Sequence, residues 1–214
     1  MNQTALLVTY WVIGAFLSLG ATLGWAQPIL GTPITGGTGC PSGTVSAVLS
    51  PDRNELSVLF DQYTVEASPN RVAQPKSCQV TIPITLPEGE ELEVVGADLR
   101  GFASVPEGGK AELEVRYLFG DTRHQTPKDK VWVRVEGPKD LDFTASGKPN
   151  KRYKTHCRGG TYYLVLRTQM DLNLEDAHES GLITLDSADV YKPDTGRKVK
   201  FGYQSARCRG KRGR

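Results

Sequence analysis

The chain has 214 residues, with 26 Lys and Arg against 24 Asp and Glu and a formal net charge of +2. Glycine (23 residues) and proline (13 residues) are plentiful, and no long segment after residue 26 repeats apolar residues every 3.6 positions. This composition argues against a helical domain and favours strands joined by turns. The length suits a single all-β domain.

The N-terminus has the features of an export signal. No charged side chain occurs between Ala5 and Ala26, and Gly24 and Ala26 place small residues where signal peptidase reads them. We predict a signal peptide over residues 1–26, cleaved before Gln27. Because no Lys or Arg precedes the apolar run, an uncleaved membrane anchor is the alternative. Either reading places the rest of the chain outside the cytoplasm, in the extracellular space or the cell envelope. After cleavage we expect no stable membrane insertion.

Three further segments follow the leader. Residues 27–43 are rich in Gly, Pro and Thr and predict a flexible arm that Cys40 pins. Residues 44–208 form the predicted β-domain, and residues 209–214 form a basic tail. Strand patterns recur within the domain at residues 44–49, 56–66, 78–86, 91–103, 111–119, 131–136, 162–170, 181–187 and 198–204.

Strict alternation of apolar and polar residues identifies half-buried antiparallel strands. Val80, Ile82 and Ile84 alternate with polar neighbours or proline, and Leu113 and Val115 alternate with charged residues. These patterns predict an antiparallel two-sheet β-sandwich, with a closed β-barrel as the competing architecture. Residues 120–150 are broken by prolines and dense in charge, which predicts long loops around one or two short strands.

The four cysteines are Cys40, Cys78, Cys157 and Cys208, and they permit three disulfide connectivities. An exported chain reaches an oxidising compartment, where cysteines form structural disulfides. The sequence contains no Cys-x-x-Cys, which argues against a redox-active or zinc-binding role. We therefore predict two disulfides.

Ordered motifs give the chain a family resemblance. The motifs are GTGCPSGT (37–44), LSPD (49–52), VLFDQYTVEA (58–67), SCQVTIPITLPEG (77–89), DLRGFASVPEG (98–108), ITLDSAD (183–189) and a final segment ending at Cys208. In this order they resemble the secreted family catalogued as domain of unknown function 4360. The resemblance implies secretion, a β-rich fold and sequential pairing, Cys40 with Cys78 and Cys157 with Cys208. It supplies no catalytic residue.

Basic residues gather around each of the last two cysteines, and neither stretch contains Asp or Glu. They are Lys148, Lys151, Arg152, Lys154 and Arg158 near Cys157, and Arg207, Arg209, Lys211, Arg212 and Arg214 near Cys208. Setting these ten aside leaves 16 basic against 24 acidic residues, a formal balance of −8 for the remainder. If Cys157 and Cys208 are bonded, the two groups meet, because a disulfide holds its α-carbons within about 7 Å.

A cationic surface of this kind attracts anionic ligands through salt-sensitive contacts. We predict that all of these residues except Arg214 form a binding site for an anionic or glycan ligand. A solvated basic loop with a soluble tail is the alternative. Only Tyr153 interleaves with the charges and no base-reading motif occurs, so we predict no specific nucleic-acid partner.

We expect no cofactor and no metal, with calcium as the alternative because acidic residues cluster at 171–179 and 186–189. Neither cluster has the spacing of a calcium loop. The sequence lacks Gly-x-Ser-x-Gly, His-Glu-x-x-His and a phosphate-binding glycine loop, so no catalytic residue is predicted.

The predicted function is a non-catalytic extracellular binding module that contacts an extracellular or cell-wall glycan. The alternatives are a polysaccharide hydrolase and an envelope protein or inhibitor that acts through protein contacts. The sequence leaves the oligomeric state open.

Overall fold

The computed structural model describes residues 28–51, 55–94, 96–122, 129–148, 150, 153–174, 178–191 and 206–207. The described chain is built from strands and contains no helix. No described segment therefore has the long, apolar helix that a membrane crossing by helices requires.

The strands in chain order are β1 (Ile29–Leu30), β2 (Ile34–Gly36), β3 (Val45–Leu49), β4 (Glu55–Phe60), β5 (Thr64–Ala67), β6 (Lys76–Leu86), β7 (Glu90–Glu91), β8 (Glu93–Val94), β9 (Ala97–Val105), β10 (Lys110–Gly120), β11 (Asp129–Glu136), β12 (Lys139–Gly147), β13 (Tyr153–Lys154), β14 (Gly160–Asn173), β15 (Gly181–Thr184), β16 (Ser187–Tyr191) and β17 (Ala206–Arg207).

The long strands form two antiparallel sheets. The first sheet has the order β1-β6-β14-β10-β11, and β2 also pairs with β6. The second sheet has the order β3-β4-β16-β9-β15-β5, and β12 pairs with β9. Two short pairs, β13 with β8 and β17 with β7, complete the described part. The predicted antiparallel two-sheet sandwich is confirmed, and the described strands form no closed barrel.

Alternate residues of both sheets point into the shared core. Val80, Ile82 and Leu113 of the first sheet are fully buried, as are Val58 and Leu99 of the second. Each pleated strand turns every second side chain inward, so the alternation seen in the sequence places these residues between the sheets. The outward positions carry mostly polar and charged residues.

The central region is more regular than its sequence suggests. β11 contains the predicted strand 131–136, but β12, with nine residues, occupies a part of residues 120–150 where long loops were predicted. β12 pairs with β9 along its whole length, from Lys139 opposite Val105 to Gly147 opposite Ala97. Its outward residues are charged or hydroxylic, and this masked the strand pattern in the sequence.

The segment for which a loose arm is predicted contributes β1 and β2. Both strands pair with β6, and the amide of Gly31 donates to the carbonyl oxygen of Pro83 at 2.8 Å. The other deviations are smaller. The predicted strand 56–66 is divided between β4 and β5, and 91–103 is divided among β7, β8 and β9. The predicted leader (1–26), strand 198–204 and tail (209–214) lie outside the described residues.

The first predicted disulfide is present. Cys40 and Cys78 are bonded, with their Cα atoms 5.4 Å apart, and both side chains are buried. This bond attaches the segment that follows β2 to the start of β6. Cys157 is not a free thiol, but its predicted partner Cys208 lies outside the described residues.

Candidate functional site

The outer face of the first sheet carries an exposed tryptophan. In β11 the residues Val131, Val133 and Val135 face the core, so Lys130, Trp132 and Arg134 face solvent. Trp132 is 44% exposed. A large aromatic side chain in this position has a planar apolar surface available for a ligand.

Antiparallel register arranges the outward residues of β14, β10 and β11 in rows across the sheet. Trp132 lies opposite Glu114, which lies opposite Gln169. In the next row Arg134 lies opposite Glu112, which lies opposite Asp171. Residues in a row are about 5 Å apart, close enough for a single ligand to contact several of them.

These rows border a groove of about 450 Å³, called here the Trp132 groove. Its lining residues are Lys110, Glu112, Glu114, Arg116, Trp132, Gln169, Asp171 and Asn173. Carboxylates, amides and cations all occur among them, so the groove offers both donors and acceptors of hydrogen bonds beside one aromatic ring.

Ion pairs hold the outward side chains in place. Nε of Arg134 lies 2.7 Å from Oε1 of Glu112, and Arg116 pairs with Glu114. Nζ of Lys130 lies 5.2 Å from the centroid of the Trp132 ring, and Cζ of Arg134 lies 6.0 Å from it. The ring is therefore flanked along its own strand by two cations, each within reach of a cation–π contact.

The residues predicted from sequence as an anionic-ligand site are only partly described. Lys148, Lys154 and Arg158 are exposed, and the backbone of Arg207 lies in β17. Five more lie outside the described residues: Lys151, Arg152, Arg209, Lys211 and Arg212.

The structure brings the two basic groups toward a common acidic segment, residues 88–93. Lys154 in β13 pairs opposite Glu93 in β8, while Arg207 in β17 pairs opposite Glu90 in β7. The amide of Gly89 also donates to the carbonyl of Cys157 at 3.0 Å. Residues flanking the predicted Cys157–Cys208 bond thus lie on strands that contact one short segment.

The acidic segment offsets part of the positive charge. Nζ of Lys154 lies 2.7 Å from Oε1 of Glu91, and this contact raises the pKa of Lys154. Sγ of Cys157 lies 3.8 Å from Oε2 of the same glutamate. The sequence analysis considered only charges close together along the chain. It therefore did not associate these glutamates with the basic residues, because they lie more than 50 residues away.

Tyr153, the aromatic residue within the basic stretch, is engaged in the fold. Its hydroxyl donates to Oδ2 of buried Asp129, and burial followed by the Asp129 contact raises the pKa of Tyr153. The amide and side-chain nitrogens of Asn150 donate to Oδ1 of Asp129 at 2.7 and 2.8 Å. Tyr153 therefore anchors its loop to β11 and is only partly exposed.

A second polar feature is buried on the second sheet. Asp98 in β9 lies opposite Asp189 in β16, and the side chain of Asp98 is fully buried. Oδ2 of Asp189 accepts from the Ser187 hydroxyl at 3.1 Å and lies 3.5 Å from Nε of Arg100. Burial raises the pKa of Asp98; the Ser146 hydroxyl and Arg100 oppose this increase, and the charge of Asp189 adds to it.

Within the described chain, no group of three or more His, Cys, Asp and Glu side chains is arranged to hold a metal. The two acidic clusters that were predicted as alternative calcium sites lie on different sheets. Asp171 lies on the outer face of the first sheet, whereas Asp189 lies in the second. Residues 175–177 are outside the described part.

The sequence reasoning missed Trp132. The signal was present, because KVWVRVE (130–136) alternates strictly and places the tryptophan opposite three valines. That alternation predicts a tryptophan on the outward face of a strand. It does not give the neighbouring strands, and these supply the rest of the groove.

Fold and surface together define a class: an antiparallel β-sandwich with an aromatic and polar groove on one sheet face. The chain belongs to the family described as domain of unknown function (DUF4360), whose model matches residues 31–208.

An uncharacterized secreted protein of Arthroderma benhamiae is 35% identical over 159 residues, which cover 72% of this chain and 63% of that protein. The chain thus matches less than two thirds of the length of this relative. A solved structure of TmCBM61 in complex with beta-1,4-galactotriose is 13% identical with a TM-score of 0.24, covering 75% of this chain and 88% of that chain. This similarity is too weak to assign a fold or a ligand.

Proposed function

We propose that the protein is an extracellular, non-catalytic glycan-binding module that uses the Trp132 groove. Two observations support an extracellular location: the charge-free leader sequence and a relative that is named as a secreted protein. The buried Cys40–Cys78 disulfide is consistent with an oxidising compartment.

The observation that carries the proposal is the exposure of Trp132 within a row of polar side chains. A sugar ring has apolar C–H faces and a rim of hydroxyl groups, so it requires a flat apolar surface beside hydrogen-bonding groups. The indole of Trp132 supplies the surface, while Gln169 and Asp171 supply donors and acceptors from β14, on the far side of β10. Well-formed rows of this kind orient a ligand through a few placed polar groups.

Binding fits the groove better than hydrolysis does. Glycoside hydrolysis requires one carboxyl group that holds a proton to give to the leaving oxygen. Glu112 and Glu114 are each engaged by an arginine in an ion pair, so both side chains are already committed to contacts on the sheet face. The polysaccharide hydrolase remains the alternative that the experiment below examines.

The first experiment compares the mature wild-type chain with Trp132→Ala on a glycan array, followed by titration of each captured glycan. We expect the substitution to weaken binding at least tenfold, because truncating a tryptophan that dominates a binding surface costs about 2 kcal/mol or more, and about 1.4 kcal/mol is tenfold. Leu59→Ala is the matched control, since Leu59 is 39% exposed on the second sheet and outside the groove.

Three outcomes would contradict the proposal. Equal glycan binding by wild type and Trp132→Ala would show that the groove is not part of the binding surface. A triple substitution of Lys148, Lys154 and Arg158 with Gln could abolish binding instead. The contact would then lie on the basic surface that the sequence predicts. Release of new reducing ends from a captured glycan would support the hydrolase.

A further inference from the structure

A row of three cations crosses the first sheet beside the Trp132 groove. Arg167 in β14 lies opposite Arg116 in β10, which lies opposite Lys130 in β11. With strands about 4.8 Å apart, the row extends over roughly 10 Å. Like charges directly opposite one another destabilise a sheet, so this arrangement requires a compensating partner.

The described residues compensate the row incompletely. Arg116 is paired with Glu114, but Arg167 and Lys130 have no carboxylate partner among the residues that the structure describes. Lys130 lies over the Trp132 ring instead. Nε of Arg167 is buried and has no hydrogen-bond acceptor. A buried guanidinium nitrogen without an acceptor is uncommon, and it leaves the charge of Arg167 uncompensated among the described residues.

Arg167 lies between two open spaces on this face. On the β10 side it lies opposite Arg116, which lines the Trp132 groove. On the β6 side it lines a second groove of about 470 Å³ together with Ile34, Gln79 and Thr81. A chain-like ligand lying on Trp132 therefore passes Arg167 and Lys130 if it continues across the sheet.

We propose that the row of Arg167, Arg116 and Lys130 binds the carboxylate of an acidic sugar residue whose neighbour in the glycan stacks on Trp132. This inference rests on the proposed function and names its ligand class, a uronate-containing glycan. An arginine fork matches the two oxygens of a carboxylate, and charge-assisted hydrogen bonds of this type are stronger than those to neutral hydroxyls.

The test compares three probes by calorimetric titration into the mature chain at low salt. They are a galacturonic acid trimer, the same trimer with its carboxyl groups methyl-esterified, and an uncharged galactose trimer. We expect the acidic trimer to bind about tenfold more tightly than its ester, because esterification removes the charge and leaves the ring faces unchanged. A sulfated galactose trimer is a fourth probe, which separates carboxylate recognition from general attraction of anions.

Variants locate the contact. Arg167→Gln and Lys130→Gln should each remove most of the preference for the acidic trimer over its ester. Lys139→Gln is the matched control, because it removes the same charge from an exposed position on β12 of the second sheet. Lys130 occupies an exposed, outward position of β11. Lys130→Gln therefore tests the proposal even if Arg167→Gln fails to fold.

The outcomes separate this inference from the proposed function. The galacturonic acid trimer, its methyl ester and the galactose trimer could bind equally, with only Trp132→Ala weakening their binding. In that case the carboxylate contact is overturned and the proposed glycan binding stands. If Lys139→Gln lowers affinity as much as Arg167→Gln, or the sulfated trimer binds best, carboxylate recognition by the row is also overturned. If no glycan binds at all, both proposals fail.

Discussion

Two glycines beside Cys40 explain why the GTGC sequence precedes the disulfide. Gly37 has a φ of +117°, and a Cβ atom there would lie 2.3 Å from the carbonyl oxygen of Ser77. A Cβ on Gly39 would lie 2.1 Å from the ring of Tyr63. Larger residues would push this segment away from β6, and Cys40 would then lose its approach to Cys78.

Asp98 is the residue with the least favourable environment in the described core. It is fully buried opposite another carboxylate, and burial raises its pKa above the ordinary value of 3.8. The folded state therefore holds the Asp98 proton more tightly than the unfolded state does. Its contribution to stability is complete below about pH 3.8 and is lost as the pH rises through the folded pKa.

We predict that Asp98→Asn gains stability relative to wild type as the pH rises. Asn keeps the shape of Asp but cannot ionise, so it avoids the cost of a buried charge at neutral pH. Urea unfolding of both proteins at pH 4, 5.5 and 7 measures the difference in unfolding free energy. Asp142→Asn, at an exposed position on β12, is the control, and a difference for Asp98→Asn that stays constant across this range would contradict the prediction.

At the scale of elements, the sequence identifies strands better than it identifies their partners. The segments that alternate apolar and polar residues, such as β6 and β10, are strands close to their predicted bounds. β12 was missed because its inward positions include Leu141, Ala145 and Gly147, which give a weak apolar signal. It is a strand because β9 supplies a partner for its whole backbone.

The start of β11 holds the loop before β13 through one carboxylate. Asp129 is buried and accepts hydrogen bonds from the backbone and side chain of Asn150 and from the hydroxyl of Tyr153. Asn150 and Tyr153 are thereby held against the end of the first sheet.

Asp129→Ala should therefore destabilise the protein by about 2–3 kcal/mol, because it removes the buried carboxyl group that accepts three hydrogen bonds. Urea unfolding measures the loss, and hydrogen exchange at the Asn150 amide reports whether the loop is released. Tyr153→Phe removes only the hydroxyl and should have a smaller effect. Equal stability of Asp129→Ala and wild type would show that the loop is held by other contacts.

At the scale of the whole molecule, the disulfide joins the N-terminal part of the chain to the first sheet. It closes a loop with a sequence separation of 38 residues. Replacing Cys40 and Cys78 together with Ala should lower the free energy of unfolding by about 4 kcal/mol, because the unfolded chain regains the entropy of that loop. The double substitution leaves no unpaired thiol at this site.

Equilibrium unfolding in urea under non-reducing conditions measures this loss. A domain of this size is stable by only about 5–15 kcal/mol, so the change is a large share of the total. Wild type with intact disulfides, measured in the same buffer, is the reference. A loss below about 1 kcal/mol would mean that strands β1 and β2 hold the segment without the covalent bond.

The distribution of charge also belongs to the whole molecule. Summing charges along the sequence isolates two basic groups and leaves an acidic remainder. The fold places the acidic segment 88–93 beside strands from both basic groups, so Lys154 is paired with Glu91. Linear charge patterns cannot reveal such pairing, because it depends on backbone contacts between distant segments.

The sequence by itself determined which residues of each strand face inward, because the two-residue alternation is a local property of the pleated chain. It also gave the sandwich class, and the family resemblance gave the pairing of Cys40 with Cys78. Only the tertiary structure decided that Trp132, Glu114 and Gln169 share one row, and that Arg167 lies opposite Arg116. The reason is that register between strands is set by contacts among segments far apart in sequence, and these contacts carry no local signature.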